Sequence, residues 1–209
     1  MAAWQELEAE VANRLADASL GERVVFAVGV AERLMRVQEA LPAVEQAEYT
    51  LSLRPLLNAL WEAALGNSTA FGEIKHGMGE YLLSEYCHND GQDGPGDADE
   101  PAAAAVLYAA VAYLFGTGDL SSAVSGCAVE AVDERLNPDD SHVDDPDGVL
   151  AAELHRQLQD LDLIGRHSGT LRHASLGLDL ETSDRLHRVL RIPLSSAGSR
   201  RSLREGEPR

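Results

Sequence analysis

The stretch LRPLLNALWEAAL, residues 53–65, carries the clearest helical pattern in this chain. Its apolar side chains recur at the i, i+3, i+4 and i+7 positions that form one face of a helix. Pro55 falls in the first turn, where a helix tolerates proline, and Gly-Asn at 66–67 follows as a stop signal. We therefore predict a helix with one buried face. That face comprises Leu53, Leu56, Leu57, Leu60, Trp61, Ala64 and Leu65.

Two more helices are predicted upstream of this stretch. The apolar face of the first consists of Trp4, Leu7, Val11 and Leu15. The run VVFAVGVA at 24–31 is apolar on all sides and continues into the charged ERLMR of 32–36. Such a run indicates a central, mostly buried helix, in which Gly29 permits the close approach of a neighbouring element.

Four later segments complete the predicted bundle. A glycine-interrupted pattern from Phe71 through Leu82 and on to Tyr86 indicates a fourth helix. An alanine-rich fifth helix opens at Pro101, and Asp119 caps a sixth. Pro146 precedes the last clear helix, which carries a leucine stripe.

The segments between these helices contain few apolar residues. Two acidic stretches, 88–100 and 137–145, predict mobile loops. No alternating apolar pattern is long enough to force a strand. The sequence therefore predicts an all-α fold, a single helical bundle of about seven helices over residues 1–165.

Residues 166–209 differ in composition from the rest of the chain, because apolar residues become fewer and arginines cluster. We predict a loosely ordered C-terminal tail with a short helix over 182–191 and disorder after about residue 193. The apolar side of that helix is expected to pack on the bundle, while its arginines meet the acidic body. Deletion of 182–209 should then lower stability, whereas deletion of 194–209 should not.

Charge is distributed unevenly along the chain. Residues 1–165 hold 8 basic and 30 acidic side chains, a net charge of −22, whereas residues 166–209 hold 9 basic and 5 acidic ones, a net charge of +4. An acidic body repels nucleic acid, because duplex binding needs cations that neutralise phosphates. The same charge attracts a basic protein.

Nothing in the hydropathy pattern predicts a membrane protein. The longest uncharged run, 101–118, is shorter than the ~20 apolar residues that span a bilayer. Acidic residues stand near the N-terminus, where a secretory signal would carry a basic stretch followed by an apolar one. We expect a cytoplasmic protein.

Two Glu-x-x-His motifs invite a di-iron interpretation, since helical bundles bind iron through such pairs on separate helices. They are Glu73 with His76 and Glu85 with His88. Both lie on one predicted helix, twelve residues apart, so they point in different directions and cannot face each other across a core.

An EF-hand calcium loop around Gly148 is also not supported. Asp145 and Asp147 fit its third and fifth positions, but Val143 and Leu154 occupy the first and twelfth, where oxygen ligands are essential. We therefore predict no bound metal and no cofactor.

No catalytic residue is assigned from the sequence. Neither a Gly-x-Ser-x-Gly motif nor a glycine-rich phosphate loop occurs. Cys87 and His88 are adjacent and would point about 100° apart on a helix, so the histidine cannot easily activate the thiol. Cys87 and Cys127 are interpreted as two buried apolar residues.

The order of motifs over residues 20–165 resembles the YjaG-like bacterial family (domain of unknown function 416), an all-helical group of unknown function. The matching stretches are VVFAVGVAERL at 24–34, LLNALWE at 56–62, the alanine-rich helix around Tyr108 and the Gly-Asp-Leu of 118–120. Because these motifs describe core packing, the resemblance implies a helical fold and carries over no site residue.

Two functions of different class follow from the sequence. The first is a protein–protein interaction module, an adaptor or an immunity-type inhibitor of a basic partner, because the acidic body can dock on a cationic surface. The alternative is an enzyme with a carboxylate site between helices. Glu32 and Glu62 are the nearest candidates for that site, with Arg33 and Arg54 as potential partners in ion pairs.

Overall fold

The computed structural model describes residues 3–44, 46, 49–84, 101–134 and 145–196, and all regular structure in these ranges is helical. The prediction of an all-α bundle is confirmed. Seven helices of twelve residues or more lie in the described ranges: α1 Ala3–Asp17, α2 Leu20–Glu39, α3 Tyr49–Ala64, α4 Phe71–Leu82, α5 Pro101–Phe115, α6 Asp119–Asp133 and α7 Pro146–Gly165. Apart from Asp145, the predicted acidic loops lie outside the described residues.

Local capping explains where two of the long helices begin. Ser19 and Glu22 form a reciprocal capping box at the start of α2, in which the Ser19 N–H donates to Glu22 Oε2 at 2.9 Å. Asp145 caps α7 by accepting a hydrogen bond from the Gly148 N–H at 2.9 Å, and Pro146 follows it in the first turn. Asp145 is thus a helix cap in this structure.

Helix α2 forms the centre of the bundle and packs against α3, α5, α6 and α7. Val25, Ala27 and Val28 have no exposed surface, which agrees with the prediction of a buried central helix. The stripe predicted on α3 is also buried, with Leu57 and Trp61 fully enclosed. None of the described helices is both long and apolar enough to cross a membrane.

The C-terminal segment is helical and adheres to the bundle. It consists of α8 Ser168–Leu171, a 3-10 turn Ala174–Leu176, α9 Leu180–Leu186, a π-helical turn His187–Arg191 and α10 Ile192–Ser195. Leu186, Leu190 and Leu194 join the hydrophobic core with exposures of 0%, 0% and 1%. Gly29 of α2 permits this approach, since a Cβ placed there would lie 3.3 Å from Leu194 Cβ.

The last described turn lies just beyond residue 193, near which we predicted that disorder begins. The described structure continues to Ser196, because Leu194 is held in the core and two arginines bind the last turn. Arg156 Nη2 donates to the carbonyl oxygens of Pro193 at 3.2 Å and Ser196 at 3.1 Å, and Arg33 donates to that of Leu194 at 3.5 Å. Cations that bind the free carbonyls stabilise the end of a helix.

Candidate functional site

Glu32 and Glu62 are the two carboxylates that the sequence suggested for a site between helices. Glu32 is the more deeply buried, with 1% of its surface exposed. Its Oε2 accepts hydrogen bonds from Arg54 Nη1 at 2.8 Å and Trp61 Nε1 at 3.2 Å. Its Oε1 accepts from Arg36 Nε at 2.8 Å. Arg54 of α3 also donates to Glu39 at 2.6 Å, so this one guanidinium group links two carboxylates of α2.

The electrostatics of this cluster keep Glu32 ionised. Burial alone would raise its pKa, but the charges and hydrogen bonds of Arg54 and Arg36 outweigh burial, and the pKa lies below the ordinary value. Burial alone would lower the pKa of the Arg54 guanidinium, but the hydrogen bonds and charges of Glu39 and Glu32 raise it above its ordinary value. A carboxylate that is ionised and already bonded to three donors has no proton to give at neutral pH.

Arg33 does not pair with Glu32 or Glu62, contrary to the expectation from sequence. Adjacent helical residues point about 100° apart, so Arg33 faces α7 while Glu32 faces α3. There Arg33 forms ion pairs with Asp160 and with Glu153 at 3.4 Å. Arg156 Nε completes the group by donating to Asp160 at 3.0 Å.

Glu62 follows Trp61 on α3, and 39% of its side chain is exposed. It meets the C-terminal segment, with its Oε1 at 3.5 Å from His187 Nε2 and 3.6 Å from Arg191 Nη1. Arg191 also donates to Asn58 Oδ1 at 2.7 Å and stacks over the Trp61 ring at 5.8 Å. The structure therefore uses Glu62 to hold the tail, and Glu32 and Glu62 share no common pocket among those described below.

A groove between α1 and α6, here called the acidic groove, is the concave surface that sequence reasoning missed. Its volume is about 360 Å³. The lining residues are Gln5, Glu8, Ala9, Val11, Ala12, Leu15, Ser122, Ser125 and Gly126. Small side chains dominate the lining, and a Cβ added to Gly126 would meet nothing within 4 Å, so a partner could approach the backbone closely.

Acidic residues continue the α6 face of the acidic groove beyond its lining residues. Ser122 and Gly126 share one exposed face of α6 with three acids, Asp119, Glu130 and Asp133. All five positions fall within about 80° of one another around the helix axis. Glu8 supplies a fourth acid from α1. The basic residue of α1, Arg14, pairs with Asp162 at 2.7 Å. The sequence did contain a sign of this groove, because small residues recur at helical spacing along both α1 and α6.

Of the two Glu-x-x-His pairs, the structure describes only Glu73 and His76. His76 pairs with Glu80 on the surface of α4 at 3.2 Å, while Glu85 and His88 lie outside the described residues. Within the described ranges, no group of three His, Cys, Asp or Glu side chains has metal-binding geometry.

Cys127 is buried on α6 and is not a nucleophile at neutral pH. Burial, together with the charge of Glu130, raises its pKa to about 11. Cys87 lies outside the described residues. A buried thiol whose pKa is raised in this way stays protonated at neutral pH and reacts slowly with thiol reagents.

We expect this burial to show in thiol labelling. In a Cys87→Ser variant, Ellman's reagent should modify Cys127 at least about a hundredfold more slowly in the folded protein than in denaturant. Stopped-flow absorbance measures both rates. Rapid modification of the folded protein would contradict the burial of Cys127.

Comparison of this chain with models of protein families, with curated proteins and with solved structures finds no match.

Proposed function

We propose that this protein is an interaction module that binds a basic partner protein in the bacterial cytoplasm through the acidic groove. An adaptor and an immunity-type inhibitor are the two roles that fit such a module, and membership of the YjaG-like family remains part of the proposal. The observation that carries it is the groove itself, a concave strip of small residues that includes Glu8 and whose α6 face continues to Asp119, Glu130 and Asp133.

The shape and charge of the groove favour an amphipathic helix as the occupant. Two neighbouring helices that diverge leave space for a third, which can lay its apolar face along the groove. Lysine and arginine on the flanks of that helix would face the four acids and would speed association at low salt. The small side chains of Ala9, Ala12 and Gly126 allow close packing, which supplies the apolar part of the affinity.

The carboxylate enzyme is less well supported. Glu32 is committed to three donors, and Glu62 is committed to the C-terminal segment. Both carboxylates therefore serve the folded structure in the way that buried and half-buried ion pairs commonly do.

The test uses a defined probe, an amphipathic helical peptide of 18 residues built from leucine and lysine. We expect saturable binding by fluorescence anisotropy, with affinity that falls as salt rises. A matched peptide of leucine and glutamate should not bind. Binding of both peptides alike would contradict the charge argument.

Two sets of variants locate the binding surface. Conversion of Glu8, Asp119, Glu130 and Asp133 to the corresponding amides should weaken binding by about tenfold, since exposed ion pairs contribute roughly 0.3–0.5 kcal/mol each. The control converts four acids elsewhere on the surface: Glu73, Glu80, Glu181 and Asp184. Equal losses in both sets would show that net charge, and not the groove, attracts the peptide.

A steric variant tests the groove without any change of charge. Gly126→Leu places a side chain into open space in the groove, so the fold should tolerate it while the peptide is displaced. Gly79→Leu is the control, because a Cβ at Gly79 also meets nothing within 4 Å but lies on α4. Unchanged affinity in Gly126→Leu would place the binding site elsewhere.

A further inference from the structure

A second concavity, here called the end pocket, lies where α2 begins and where α3 and α5 end. Its walls include Leu20 and Val24 of α2, Ala63 of α3, Phe71 of α4, Tyr113 of α5 and Ser175 of the 3-10 turn. None of these residues lines the acidic groove. The two concavities are therefore separate.

The volume of the end pocket limits the size of the ligand that it can bind. Its volume is about 190 Å³. An apolar protein cavity of about 150 Å³ accommodates one benzene molecule. The end pocket thus has room for a single six-membered ring with a small substituent, and not for a drug-sized molecule.

The walls offer aromatic and aliphatic surface that the described residues cover only in part, with Lys75 Nζ 5.7 Å from the centroid of the Phe71 ring. Phe71 is 46% exposed and Leu20 is 41% exposed, although both are large apolar residues. The rings of Phe71 and Tyr113 lie 6.5 Å apart at an interplanar angle of 52°. A further ring inserted beside them would add contacts of the tilted kind that aromatic groups favour.

Two hydroxyl groups in the walls are available to a ligand. Neither Tyr113 nor Ser175 forms a side-chain hydrogen bond with the described residues of the chain. Burial raises the pKa of Tyr113, so its hydroxyl stays protonated at neutral pH and can donate. Tyr113 is half-buried and Ser175 is exposed, so both hydroxyls can be reached by a ligand that carries a hydrogen-bond acceptor.

We propose that the end pocket binds a small aromatic molecule of one ring, whose polar substituent accepts a hydrogen bond from Tyr113. The ring fills the apolar space beside Phe71, and the substituent lies against the two hydroxyls. This proposal is independent of the acidic groove and its partner, because the two sites share no residue.

Two fluorinated probes test the proposal by ¹⁹F NMR titration of the full chain. 4-Fluorophenol carries the polar substituent, and fluorobenzene lacks it. We expect saturable line broadening for both probes below about 10 mM, with tighter binding of 4-fluorophenol. Absence of saturable binding by either probe at that concentration would overturn the proposal.

Substitutions in the walls of the end pocket distinguish specific binding there from nonspecific binding elsewhere on the surface. Tyr113→Phe should weaken binding of 4-fluorophenol by about two- to tenfold and leave fluorobenzene unchanged, because only the hydrogen bond is lost. Ala63→Leu fills the pocket and should abolish binding of both probes, provided that circular dichroism shows an intact fold. Ala12→Leu, in the acidic groove, is the matched control that should retain both. If Tyr113→Phe binds both probes like the unmodified protein, the assignment of the hydroxyl is wrong.

Discussion

Replacement of Glu32 by alanine should destabilise this protein by about 3–5 kcal/mol, because it removes a buried acceptor shared by the buried Trp61, the half-buried Arg54 and the exposed Arg36. Arg54, Arg36 and the indole N–H of Trp61 would all lose their contact with the carboxylate at once. Denaturant unfolding followed by far-ultraviolet circular dichroism measures the loss. The Trp61 fluorescence should report the same transition.

The control is Glu62→Ala. Glu62 also pairs with basic side chains, but it is 39% exposed, and an exposed ion pair contributes only about 0–1 kcal/mol. If both variants lose the same small free energy, the buried cluster contributes little and our account of it fails.

The effect of Glu32→Ala should also depend on pH. The pKa of Glu32 in the folded protein lies below its ordinary value of 4.5. The unfolded chain therefore takes up the proton at higher pH than the folded one, and the ionised carboxylate favours folding above pH 4.5. This contribution is lost as the pH falls through the folded pKa. The difference in stability between the two proteins should shrink when unfolding is measured at successively lower pH from 7 to about 3.

Truncation after Pro193 should lower stability, contrary to what composition alone leads one to expect. The deletion removes Leu194, which is 1% exposed against Gly29, and a buried leucine typically contributes about 2–5 kcal/mol. It also removes the Ser196 carbonyl that accepts from Arg156. In a chain of this size each kcal/mol corresponds to roughly 2–4 °C, so calorimetry should show a fall of several degrees in Tm.

A shorter truncation provides the control. Deletion of 197–209 leaves every contact described above in place, so we expect its Tm to match that of the full chain. Leu194→Ala in the full chain should reproduce most of the loss caused by truncation after Pro193. Equal melting temperatures for the full chain and both truncations would show that Leu194 does not anchor the segment.

The helices themselves could be predicted because their signals are local. The stripe on α3 depends on side chains within four residues of one another, and the start of α2 depends on a contact between Ser19 and Glu22. The continuous apolar run at 24–31 likewise identified the buried centre without any knowledge of its neighbours. Periodicity is a property of a single segment and can be read from the sequence. Caps are less certain, since the predicted cap at Asp119 does not form: Gly118 precedes α6 and no described side chain caps its first turn.

Partners distant in sequence could not be predicted in this way. The residues next to Arg33 in the sequence do not reveal that its ion-pair partner is Asp160, 127 positions later. The pairing depends on which face of α2 packs against α7. The role of Leu194 also depends on a glycine far upstream, because only close approach to Gly29 buries it. Local patterns and composition were thus enough to predict the helical class, the central helix and the acidic charge. Which charges pair, which C-terminal leucines join the core and where the concave surfaces lie became clear only from the folded arrangement, because these features depend on how the helices pack against one another and not on the period within one helix.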